Sequence, residues 1–77
     1  ALNDCVTQTL FDEKITRAED LTRLNCSNAG VKSLEGLGKF FALTEINLSE
    51  NALVNIDELG KLGRLEILLL NKNAIQS

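Results

Sequence analysis

Three stretches of the chain are written in one register: LTRLNCSNAGV from Leu21, LTEINLSENAL from Leu43 and LEILLLNKNAI from Leu65, each beginning 22 residues after the one before. This period constrains the fold more than any other feature. Each copy has apolar residues for one face only, so it must stack on a neighbour to bury them. Aligning the copies gives columns of Leu24, Ile46 and Leu68, of Cys26, Leu48 and Leu70, and of Val31, Leu53 and Ile75, all expected to point inward. Further columns pair Leu34 with Ile56, Leu37 with Leu59, and Phe40 with Leu62. The first part of each copy alternates apolar and polar residues, the signature of a short strand, and the rest predicts a tight return arm, helical or 3₁₀. Stacked coils place parallel strands about 4.8 Å apart over a continuous core.

Asn51 and Asn73 fall where the backbone leaves the strand and its peptide groups lose their ladder partners. A side-chain amide can satisfy both an N–H and a C=O, so these residues are expected to form a structural hydrogen-bond ladder along the stack. The first copy has Ala29 at this position. Asn28 reaches that turn only from another direction, so the first turn must be completed by other means.

On the strength of LTEINLSENAL and LEILLLNKNAI, residues 21–77 resemble leucine-rich repeats of the 22-residue class. Such repeats occur in internalin-like surface proteins of bacteria and in some eukaryotic regulatory subunits. The resemblance implies an α/β solenoid, a right-handed superhelix of short parallel strands that recognises proteins through its concave strand face. Internalin-like proteins are similar, too, in placing a small helical cap before the first coil. Residues 1–20 hold no copy of the repeat. Leu2, Val6, Thr9 and Leu10 recur at helical spacing, and Ile15, Ala18 and Leu21 outline a second helical face with Thr16 as its N-cap. The expected organisation is therefore a helical cap over 1–20, then repeats over 21–77 starting at 21, 43 and 65, the last incomplete.

Cys5 lies on the first helical segment and Cys26 in the inward column of the first coil, the surface that a cap must cover. Three readings are open: a Cys5–Cys26 disulfide, two reduced core thiols, or metal binding, which lacks a third and fourth ligand. The disulfide is the working expectation. In the chain-entropy model it contributes roughly 3 kcal/mol, a material amount for a domain whose core is so small. It would also place the protein in an oxidising compartment, periplasmic, secreted or at the cell surface, whereas free thiols would return it to the cytoplasm.

Composition removes other functions. With 8 basic and 11 acidic residues there is no electrostatic footprint for nucleic acid or an anionic membrane. Apolar runs reach only four residues, as in Ile67 to Leu70, far short of a spanning helix, so no membrane insertion is expected. The first residue is Ala1, compatible with an export signal already removed. There is no His, Tyr, Trp, Met or Pro, so the commonest general base and the commonest zinc ligand are missing. DEKITRAED has some flavour of a calcium loop, but counting back from Ile15 puts Gln8 and Leu10 at ligand positions and Glu13 at the required glycine. No catalytic residue, metal or cofactor is assigned.

The strand residues between the inward columns form the candidate partner-binding face. They are Arg23, Asn25 and Ser27, then Glu45, Asn47 and Ser49, then Ile67, Leu69 and Asn71. Arg23 beside Glu45 reads as a modest cross-strand pair. Ile67 and Leu69 differ, being apolar on a polar face. No C-terminal cap is visible, so the flank of Leu68, Leu70 and Ile75 is expected to be open to weak self-association through the third repeat. The functional expectation is a non-catalytic protein–protein interaction module of an exported bacterial protein, with another protein as partner. Its alternatives are a scaffold without a dedicated ligand and a cytoplasmic regulatory repeat domain. Thiol titration decides the cysteine question: denatured, unreduced protein should show no free thiol, and reduction should lower the melting temperature by several degrees. Two titratable thiols in protein kept under oxidising conditions would refute the bond.

Overall fold

Three short strands recur at the sequence period: β1 (Arg23–Asn25), β2 (Glu45–Asn47) and β3 (Ile67–Leu69). In the computed structural model, which describes residues 1–76, they form one parallel sheet in the order β1-β2-β3. Ser77, the last residue of the expected repeat region, lies outside the described residues. The register aligns Leu24 with Ile46 and Ile46 with Leu68, so equivalent side chains stack in columns. Leu21, Leu43, Ile46, Leu48 and Leu53 are fully buried, and Val31, Leu34 and Leu37 join them. Each such side chain contributes roughly 1.5–3 kcal/mol relative to an exposed one. The columns open at the third coil, where Leu68 is 36% exposed and Leu70 and Ile75 are half-buried.

Beyond the strands, hydrogen bonds between coils continue with the same period. The amide of Cys26 donates to the carbonyl of Asn47, and that of Leu48 to the carbonyl of Leu69, both at 2.8 Å. Past each strand the chain turns through a left-handed residue, Asn28, Glu50 or Lys72, with φ of 49°, 59° and 59°. Asparagine tolerates this conformation better than glutamate or lysine does.

The turn itself is closed by the coil that follows. Asn51 Oδ1 accepts from the amides of Ala29 at 3.0 Å and Val31 at 2.9 Å, both in the first coil. Its Nδ2 donates to the carbonyls of Cys26 at 2.9 Å and Leu48 at 2.8 Å, so one side chain ties two coils. Asn73 repeats the arrangement one coil on, accepting from the amide of Leu53 and donating to the carbonyls of Leu48 and Leu70. Each asparagine therefore serves the coil before its own. An amide at position 29 would face the cap, where no strand-exit turn needs it, and Ala29 packs against the core instead.

The return arms are 3₁₀ turns, Leu37–Lys39 and Asp57–Lys61. They carry a second tie, which the leucine pattern does not announce. Glu58 Oε2 accepts from the amide of Gly38 at 3.0 Å, and Lys61 Nζ lies 3.3 Å from Glu58 Oε1. A Cβ on Gly38 would sit 2.8 Å from that carboxylate oxygen and 2.7 Å from Lys61 Cδ, so the glycine lets the next coil approach. The Gly38 amide, more than Lys61, holds the Glu58 carboxyl below its ordinary pKa, against the opposing effect of burial.

At the N-terminus, α1 (Leu2–Asp12) buries Leu2 and Val6. It ends in a Schellman arrangement: Lys14, at φ 57°, donates to the carbonyl of Phe11, and Ile15 donates to the carbonyl of Leu10. Leu10 and Ile15, the residues this motif brings together, both pack against the core. The second helical face expected with a Thr16 N-cap is corrected. Only a single 3₁₀ turn forms, Ala18–Asp20, with Arg17 at its N-cap position and no side-chain cap. Arg17 is extended, with φ −125° and ψ 138°, and breaks the helical run that would begin at Thr16. A Cys5–Cys26 disulfide, with Cα atoms 6.0 Å apart, joins α1 to the first coil.

Two substitutions test these ties. Asn51→Leu strands groups in two coils and should cost about 1–3 kcal/mol for each one left unsatisfied, well above the effect of Asn47→Ala in denaturant titration. Equal losses would contradict the ladder's role. For Glu58, a depressed carboxyl pKa means stability that is present above the ordinary carboxylate range and lost as pH falls through the folded value. Glu58→Gln should therefore be less stable than the parent at pH 6, with the gap in melting temperature closing as pH falls toward 3. A gap independent of pH would assign the effect to packing.

Candidate functional site

The sheet face opposite the core carries two rows set by strand register. One row is Arg23, Glu45 and Ile67; the other is Asn25, Asn47 and Leu69. Alternation along each strand turns these side chains away from the buried Leu24, Ile46 and Leu68 column. Arg23, Asn25, Ile67, Leu69 and Asn71 are exposed, and Glu45, Asn47 and Ser27 are half-buried. Ser49 is the exception, only 8% exposed, and does not present a surface for contact. Its coil is the middle one, joined there to the first coil by the Asn28 amide on the Ser49 carbonyl and to the third by the Glu50 amide on the Asn71 carbonyl. Asn47 Oδ1 accepts from the Ser49 amide at 3.0 Å, an Asx turn that curls the chain inward toward the ladder as it leaves β2.

Asn25 makes the same turn with the amide of Ser27, at 3.1 Å. In both asparagines the oxygen shapes the backbone, and Nδ2 has no partner among the described residues. Arg23 Nε lies 3.9 Å from Glu45 Oε1, with side chains 74% and 44% exposed, a loose pair that contributes little. Ile67 and Leu69 are 48% and 44% exposed, so the polar face ends in an apolar strip on β3.

A depression of about 320 Å³ lies over this face, bordered by Glu13, Arg23, Asn25, Glu45, Asn47 and Leu69. Glu13 was not among the residues expected there. It is the C-cap of α1, and the turn after the helix swings it toward the sheet edge, a placement with no periodic signal in the sequence. The cap thus supplies one wall of the depression. Among the described residues, no group of three or more His, Cys, Asp or Glu side chains could hold a metal ion, and no helix is long and apolar enough to cross a membrane.

Stacked coils of one strand and one return arm, an asparagine ladder between them and a helix over the first coil together define a capped leucine-rich-repeat solenoid. No family model matches the sequence, and no curated protein does either. Among solved structures, the chain is similar to the crystal structure of an internalin (InlF) from Listeria monocytogenes, with a TM-score of 0.88 and 24% sequence identity over 99% of this chain. The likeness establishes an internalin-like fold, the right-handed solenoid with its helical cap. The chain spans about a quarter of that internalin, covering 24% of its length.

Proposed function

We propose that the chain is a non-catalytic protein-interaction module, a capped run of leucine-rich repeats from an exported protein, which engages another protein through its concave sheet face. The observation that carries this reading is the apolar strip of Ile67 and Leu69 on a face whose other two strands present polar side chains. Contiguous exposed apolar side chains rimmed by polar ones are a mark of interaction surfaces. The internalin-like fold supports the same reading, since a solenoid holds its strand face rigid and open to large partners. The Cys5–Cys26 bond is compatible with a secreted or surface location, because such bonds persist in oxidising compartments. Glu13, Arg23, Asn25, Glu45 and Asn47 would supply the polar part of the contact, and Ile67 and Leu69 the apolar part beside it.

A photoreactive side chain placed at Asn47 should form an adduct with a protein from the native surroundings, whereas one at Lys32, on the return arm, should not. Ile67→Lys with Leu69→Glu should reduce the Asn47 adduct about tenfold or more while leaving the melting temperature nearly unchanged, since both side chains face away from the core. Equal labelling from Asn47 and Lys32, or none, would favour a scaffold without a dedicated ligand. Sedimentation of the 77-residue chain over a hundredfold concentration range separates self-association from this: a dimer weakened by the same double substitution assigns the apolar strip to pairing between copies.

A further inference from the structure

The cap and the coils are fastened by different means. Coil is bound to coil by backbone hydrogen bonds, by Asn51 and Asn73 and by Glu58. Among the described residues, no backbone hydrogen bond joins α1 to a coil. The single polar approach is from Cys5 Sγ to the carbonyl of Asn25 at 3.5 Å, and a disulfide sulfur has no proton to donate. Apolar packing of the helix is limited in extent, with Leu2 and Val6 its two buried side chains. Leu2, Val6 and Leu10 face Leu37 and Phe40 across a groove of about 140 Å³ that remains open to solvent. The segment that follows the helix, from Lys14 to Arg17, holds no helix or strand, and Ile15 is its contact with the core. The covalent tie is the one attachment of α1 that apolar packing does not share.

We propose that the Cys5–Cys26 disulfide is a redox latch: intact, it holds the helical cap over the first coil, and its reduction releases α1 as a unit while the coils stay stacked. The co-reactant is a dithiol, dithiothreitol in the test or a thioredoxin-type protein in a cell. Its thiolate attacks Sγ of Cys5, which is half-buried where Cys26 is 2% exposed, and forms a mixed disulfide as Cys26 leaves as thiolate. The second thiol of the reductant then attacks its own sulfur in that bond, closing the reductant's disulfide and releasing Cys5. Two electrons pass to the protein, and each cysteine takes up one proton. Release of the helix uncovers Leu37 and Phe40, an apolar edge that is masked when the latch is closed. The cap is then closed only where the environment keeps the bond oxidised.

Hydrogen exchange of the full chain, read by mass spectrometry before and after dithiothreitol, tests the latch. Amides of Val6 to Asp12 should exchange about a hundredfold or more faster after reduction, while those of Ile46 to Ser49 change by about tenfold at most, the amount that a drop of several degrees in melting temperature entails. Cys5→Ser combined with Cys26→Leu, which restores the leucine of the equivalent Leu48 and Leu70, should reproduce the reduced pattern without leaving a cavity. Helix protection that survives in both forms would overturn the proposal, because apolar packing would then hold the cap alone. Loss of protection throughout the chain would overturn it equally, making the bond a support of the whole fold.

Discussion

The point on which the rest of the structure depends is the exit from each strand, where the chain turns inward and takes peptide groups out of the sheet. Left without partners, the amides of Ala29 and Val31 and the carbonyl of Cys26 would each cost about 1–3 kcal/mol. Asn51 meets all three and also binds the carbonyl of Leu48 in its own coil. Because one side chain spans two coils, their spacing and register are fixed together. The period of 22 residues is the length of chain that returns an asparagine to that place one strand further on.

This reach runs in one direction, and the first coil differs from those after it for that reason. A coil receives its closing asparagine from the coil after it, so the first coil needs none of its own and can carry Ala29. What it lacks is a neighbour for its open flank. The cap fills that role with Leu2 and Val6, and a disulfide substitutes for the hydrogen bonds that a helix, whose backbone groups are already paired, cannot offer to a neighbouring coil. Cys26 takes a leucine position because there the inward column meets the cap. The cap also shapes the outward face, since Glu13 at its end borders the depression over the sheet.

Much of the architecture was legible in the period. Alternation at Leu24, Ile46 and Leu68 gave the strands and their facing, and the columns behind them gave the core. Where periodicity lapses, the reading weakened. Ile15, Ala18 and Leu21 suggested a second helical face, but Arg17 is extended and only the turn Ala18–Asp20 forms. Glu58 carries no periodic signal, and only the approach of Gly38, 20 residues earlier, makes it an inter-coil tie. Ser49 looked equivalent to Ser27 and is buried more deeply, because its turn has a coil on both sides and that of Ser27 only on one.

The sequence by itself determined the repeat, the strand rows and the identity of the ladder residues, because each is a local consequence of a fixed spacing between apolar and amide side chains. It also confined the thiols to the cap and first coil. Only the tertiary structure decided that each asparagine serves the preceding coil, that Glu13 joins Arg23, Asn25, Glu45 and Asn47 around one depression, and that α1 is fastened without backbone hydrogen bonds. Those facts depend on which groups meet across coils, and contacts between residues about 20 or more positions apart follow from the path of the chain in space, which no local pattern encodes.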